Sequence, residues 1–226
     1  MKTIIITVIH YLSFILFIIL FARNKRESVH IKDEKFGLIS VLIIWLILMG
    51  INNLLLYYDV SDLYRRVLEV ILPLVYILIS KNNRASLGVC IKKSRMHIFL
   101  LLPGIIFLAI WLFYLKNMNL EIILRALKII IFTGFAQELF YRGFLQTRAE
   151  KTFGPWKGLV FSSLIFTIYH SISKLVLFPG DLWSWLKDYP FLFIFGMIMG
   201  FYFQKTRSVI PIAFYHGMWD VVLLIN

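Results

Sequence analysis

Long apolar runs separated by short charged stretches set the pattern of this chain. The runs cover roughly Ile4 to Phe21, Phe36 to Tyr57, Val67 to Ser80, Ile98 to Leu115, Leu127 to Thr147, Gly158 to Leu175, Phe191 to Gln204 and Val209 to Ile225. A helix needs ~20 residues to cross a hydrocarbon core, and most of these runs approach that length. The third and seventh are short. The pattern predicts an all-α fold, a polytopic membrane helical bundle of about eight transmembrane helices. A cleaved signal peptide is the competing reading of the first run. Arg23, Asn24, Lys25 and Arg26 follow it in place of a small-residue cleavage site, so it reads as a retained helix.

Composition agrees with the pattern. At 60% hydrophobic and 16% charged, the chain of 226 residues has too little polar surface for a water-exposed globule of this size. Its net charge of +12 would suit a nucleic-acid partner, but the basic residues are spread over short loops with no aromatic-studded soluble domain beside them. Membrane orientation explains the charge better. With the N-terminus and C-terminus outside, the inner loops hold Arg23 to Lys35, Lys81 to Arg95, Arg148 to Lys157 and Lys205 to Arg207, which places most Lys and Arg inside. The lone Cys90 excludes an intramolecular disulfide and a thiolate metal cluster.

Neither repeats nor low-complexity tracts nor long Gly/Ser or Pro-rich linkers divide the chain, so residues 1–226 read as one transmembrane domain. Within it, 120–226 form the half that carries candidate chemistry. Glu121, Arg125 and Lys128 alternate with Ile and Leu, a pattern suited to lying amphipathically at the interface and forming a flexible rim. Trp183 and Trp185 read as interfacial anchors near an outer loop.

Against this apolar background three pairs stand out: Glu138 with Arg142, preceded by Gln137; Phe166 with His170; and His216 with Asp220. Each has an i, i+4 spacing, which stacks two side chains on one helix face. Glu138 lies ten residues from Arg148, His170 thirteen from Lys157 and His216 nine from Arg207, so at ~1.5 Å per residue all three sit roughly 14 to 20 Å from the inner face. Three helices then meet near one plane. An unpaired charge at that depth costs about 2.5–3.5 kcal/mol on insertion scales, so Glu138 and Arg142 either neutralise each other or face a wet cavity. An ion pair that merely locks helices is the bland alternative. The two histidines favour chemistry, because imidazole can hold a water, donate a proton or stabilise an oxyanion near neutral pH. His10, alone near the outer end of the first run, reads as an interhelical hydrogen-bonding residue.

Taken together, the motifs resemble those of the CAAX prenyl protease and bacteriocin-processing family (CPBP, also called Abi) of intramembrane endopeptidases: Glu-Glu-xxx-Arg, then Phe-xxx-His, then His-xxx-Asn or Asp. The resemblance runs from about Phe132 to the C-terminus; earlier spans match only in number and hydrophobicity. It implies that the residues at Gln137 and His170 activate the attacking water, that Glu138 and Arg142 support the site, and that His216 and Asp220 help bind the developing oxyanion. Phe166 would pack one turn from His170. The implied hydrolysis is metal-free and uses no cofactor. Zinc remains the alternative, since Glu138, His170 and His216 are suitable ligand types, although no His-Glu-xxx-His helix is present.

The departure from the family pattern is Gln137, where a glutamate is expected. A carboxamide orients water but has no useful basicity near pH 7, so the loss should cost at least the ~10²–10⁴ typical of general-base catalysis. Three explanations follow: an introduced Glu-to-Gln replacement, a natural noncatalytic relative, or Glu138 acting as base. The adjacent Arg142 argues against the last, because a cation lowers a carboxylate's basicity.

The leading expectation is therefore an endopeptidase, impaired at position 137, acting on a membrane-associated peptide or protein. Its competitor is a noncatalytic membrane regulator or bacteriocin immunity protein. A transporter ranks third, for the polar cluster has no broken-helix counterpart in the first half. Membrane lipid is the surrounding partner and nucleic acid is not expected. Abundant Ile, Leu, Lys and Asn suggest a bacterial cell membrane, with leader or signalling peptides as substrates reached from the cytoplasmic side.

Overall fold

The computed structural model describes residues 37–79, 87–89, 105, 109, 120–177 and 182–225. The first expected span, with His10, lies outside the described residues, as does nearly all of the fourth. Every regular element among the described residues is helical: α1 (Gly37–Tyr57), α2 (Asp62–Ile79), α3 (Leu120–Lys128), α4 (Phe135–Glu138), α5 (Thr147–Phe153), α6 (Pro155–Leu177), α7 (Leu182–Thr206) and α8 (Ile210–Ile225). Two of them are long and apolar enough to cross a membrane, Gly37–Tyr57 and, within α6, Pro155–Val176.

Helix α1 shows why such a segment suits lipid. It buries Leu38, Val41, Trp45, Leu48 and Asn52 on one side and exposes Ile39, Ile43, Leu46, Ile47 and Leu54 on the other. An apolar outer face of that extent is costly in water and unremarkable in a bilayer. Asn52, the polar exception on the buried side, finds partners on α2 and α6.

Helices α3, α4 and α5 are stretches of one continuous rod. Ile129–Gly134 and Leu139–Gln146 between them are π-helical, and the joining residues Lys128, Phe135, Leu139 and Thr147 all keep right-handed helical dihedrals. A π-turn accommodates an extra residue and re-aims the side chains beyond it, and such turns recur at functional sites. Here they flank Gln137 and Glu138. The rod ends at Gly154, whose φ of 83° is readily adopted only by glycine, and Pro155 opens α6 at the helix position where its missing N–H costs nothing.

Helix α6 packs on α5 and α7, α8 packs on the first π-helical stretch and α4, and α1 and α2 close the bundle against α6 and the rod. Several expected boundaries shift. Helix α2 begins at Asp62, upstream of the expected Val67, and this brings Arg65 and Arg66 into the helix. Helix α7 begins at Leu182 instead of Phe191 and carries Pro190 inside it, so Trp183 lies in a helix end with its ring exposed. The Glu121–Lys128 stretch is a helical turn continuous with the rod, with Ala126 as its buried residue.

Candidate active site

Two glycines set how closely the rod and α8 approach. A Cβ on Gly134 would run into the backbone of Ala213 and Gly217, and one on Gly217 would run into the backbone of Ile130. Without side chains at both, the helices meet backbone to backbone. Glu138 lies one turn beyond Gly134, and His216 directly precedes Gly217. Their side chains meet as a consequence: His216 Nδ1 lies 2.7 Å from Glu138 Oε1. The other carboxylate oxygen accepts from Arg142 Nε at 3.2 Å, and the Glu138 and Arg142 side chains are wholly buried.

Glu138 thus spends one oxygen on each neighbour. Arg142 has only its Nε–H satisfied in this way; among the described residues its two terminal nitrogens have no hydrogen-bond partner. Its guanidinium instead lies over the Phe166 ring, 5.1 Å from the centroid, where the π-face offers a weak electrostatic substitute.

Phe166 is a hub. Its ring centre is 4.2 Å from that of His170 and 6.0 Å from that of His216, so one buried aromatic touches both histidines and the arginine. Phe195 closes the other flank of His216 at 5.0 Å. His170 Nδ1 is 2.9 Å from the carbonyl oxygen of Phe166. A carbonyl only accepts, so Nδ1 carries the proton and Nε2 keeps its lone pair. That is the form able to take a proton from water.

Asp220 is less tightly bound to the cluster than the i, i+4 spacing implies. Its Oδ2 is 3.8 Å from His216 Nε2, beyond hydrogen-bond reach, and its side chain is 21% exposed whereas Glu138 is wholly enclosed. The tight partner of His216 is therefore Glu138 on another helix. Among the described residues no group of three His, Cys, Asp or Glu is placed to hold a metal ion.

Residues 118–222, which hold every one of these side chains, match the family model described as type II CAAX prenyl endopeptidase Rce1-like. Over this stretch the chain is similar to the Rce1-like family. This is a family of integral membrane endopeptidases, in keeping with the two helices able to cross a membrane. No curated protein and no solved structure matches the chain.

The matched residues do not enclose their polar cluster alone. Gln137 is buried, and in the amide orientation that satisfies its surroundings it donates to His216 Nε2 at 3.3 Å. Its oxygen then accepts from Arg66 Nη1 at 2.5 Å and Nη2 at 3.2 Å. Arg66 comes from α2, outside the matched residues. Its Nη1 also donates to both oxygens of Glu69, at 3.1 and 3.0 Å. Glu69 accepts in turn from the Tyr169 hydroxyl at 2.9 Å and from Asn52 at 3.4 Å, and Asn52 donates to Tyr169 at 2.9 Å. Sequence reasoning left out all four residues of this network. The available signal was a Glu inside the third apolar run and an Asn inside the second, each as much in need of a partner as the motif residues.

Proposed function

We propose that this protein is an intramembrane endopeptidase that hydrolyses a peptide bond of a membrane-associated peptide or protein. Water is held between the side chain at 137 and His170, whose Nε2 lone pair is available to accept a proton. His216, when protonated at Nε2, donates to the oxyanion with Asp220 beside it to balance that charge, and Glu138 with Arg142 holds the geometry. The bridge made by Glu138 carries the reading: one buried carboxylate joins Arg142 of its own helix to His216 of another, gathering two of the three motifs, while Phe166 of the third packs against both.

Gln137 weakens this catalyst. Its carboxamide cannot take a proton from water, and Glu138 is poorly suited to replace it because both of its oxygens are engaged. We assign residues 1–226 to one transmembrane domain of about eight spans with both termini outside a bacterial membrane, the basic loops facing the cytoplasm. The Gln137→Glu protein is expected to cleave a farnesylated CAAX peptide or a membrane-associated leader peptide in detergent; a folded Gln137→Glu protein inert toward the whole panel would contradict the endopeptidase reading.

Gln137 also favours a second reading, a noncatalytic membrane regulator or immunity protein. The two separate in cells. Under the second, His170→Ala and His216→Ala leave the phenotype intact while changes on the loop surfaces abolish it.

A further inference from the structure

Position 137 faces a cation that none of the motifs includes. Arg66 reaches it from α2, and the guanidinium is itself held in place by Glu69, which is tied to Tyr169 and Asn52. Three helices outside the rod, α1, α2 and α6, therefore converge on the oxygen of one carboxamide. The arrangement has a chemical consequence. An amide whose oxygen is fixed on a guanidinium has its NH2 group pointing the opposite way, here onto His216 Nε2. A nitrogen that accepts a hydrogen bond carries no proton, so Nε2 stays bare, while the Glu138 carboxylate, which only accepts, holds the imidazole proton on Nδ1.

We infer that Arg66 is a positioning residue: it orients the side chain at 137 and, through it, keeps His216 Nε2 free of a proton. This deepens the endopeptidase reading, since it names a residue beyond the Rce1-like match that completes the site. Glu69, Tyr169 and Asn52 serve Arg66 by limiting where its guanidinium can go. A glutamate at 137 would meet the same guanidinium as an ion pair, and its other oxygen, which only accepts, would require a proton on His216 Nε2.

The test reads the histidine directly and needs no substrate. Protein labelled with 15N at the histidine ring nitrogens is compared by NMR in detergent as the unaltered chain, Arg66→Met, Arg66→Lys, Gln137→Met and the double Arg66→Met/Gln137→Met variant; His216→Ala identifies the relevant pair of signals among the five histidines. The unaltered chain should show His216 protonated at Nδ1 and bare at Nε2. Arg66→Met and Gln137→Met should each move the Nε2 signal from its bare toward its protonated value while Nδ1 stays protonated against Glu138, the double variant should add nothing further, and Arg66→Lys should recover part of the shift. Signals unmoved by Arg66→Met, or shifts that add in the double variant, overturn the inference and leave Arg66 as a packing residue whose loss lowers only the melting temperature. If Arg66→Met does not fold, Gln137→Met and Arg66→Lys decide the matter: unchanged His216 signals in both reject it. Peptide cleavage plays no part in this measurement, so its failure is separate from failure of the endopeptidase reading.

Discussion

His216 and Glu138 are 78 residues apart in sequence and 2.7 Å apart in space. Neither could be placed in this interior alone. An unpartnered carboxylate there is expensive, and an imidazole with both nitrogens unsatisfied is costly as well. Their contact ties α8 to the rod at the depth where the motif residues gather, and the predictions below depend on it.

Glu138→Gln removes the charge that balances Arg142 while keeping the shape. Breaking a buried ion pair from one side typically costs about 3–5 kcal/mol, because the remaining charge is left uncompensated. Glu138→Gln/Arg142→Met should recover a substantial part of that loss. Thermal unfolding of the single and double variants in detergent checks the order; a double variant less stable than Glu138→Gln would contradict it.

Gly217→Ala should separate the two helices that bring Glu138 and His216 together. The new Cβ meets backbone at Ile130, which cannot swing aside like a flexible side chain. A loss of about 1–3 kcal/mol is expected from overpacking, with the His216 ring signals moving in the same sample. Gly50→Ala is the control, since its Cβ would meet nothing within 4 Å.

Phe166 supports three polar groups at once, so shortening it should do more than open a cavity. Phe166→Ala is expected to cost about 3–5 kcal/mol, in the range for a large buried aromatic. Phe166→Leu keeps most of the volume but removes the π-face under Arg142, so its loss of stability should be smaller while the His170 and His216 ring signals both shift. Unchanged histidine signals in Phe166→Leu would reduce Phe166 to a space-filling role.

A separate buried cluster offers a contrast. Glu150 accepts from Gln146 at 2.6 Å and Gln204 at 3.0 Å and pairs with Arg207 at 2.6 Å, joining the rod to the end of α7. None of these residues belongs to the motifs. Glu150→Gln should lower the melting temperature and leave the kcat of the Gln137→Glu background unchanged at temperatures where both proteins are folded. A fall in kcat with unchanged stability would bring this cluster into the chemistry.

Much of the site could be read from the chain because ionisable residues in an apolar run have few reasons to be there. Glu138, Arg142, His170 and His216 stood out on that ground. Arg66 did not, because next to Arg65 at the edge of an apolar run it reads as an ordinary loop charge; only the early start of α2 at Asp62 turns it inward. Glu69 and Asn52 lay inside runs, but their partners sit on other helices, and pairing across helices leaves no periodic trace. The i, i+4 rule found one neighbour of His216, Asp220 at 3.8 Å on the same helix, but not the tighter one, Glu138, across a crossing made close by Gly134 and Gly217. The extent of α7 was hidden by Lys187, Asp188 and Pro190, which resemble a break between elements yet lie inside one helix. The π-helical turns have no sequence signature of the kind that Gly or Pro gives a turn.

In the proposed function, position 137 and His170 together activate water for peptide hydrolysis. The direct measurement is kcat/KM on a farnesylated CAAX peptide, extended to membrane-associated leader peptides, for the purified unaltered chain, Gln137→Glu and Gln137→Glu/His170→Ala, each checked for folding by its melting temperature. Restoring the carboxylate should give a gain of about 10²-fold or more, the usual worth of a general base, and removing His170 should abolish it again. Three folded proteins with no cleavage of any peptide, or a Gln137→Glu activity indifferent to His170, would contradict it.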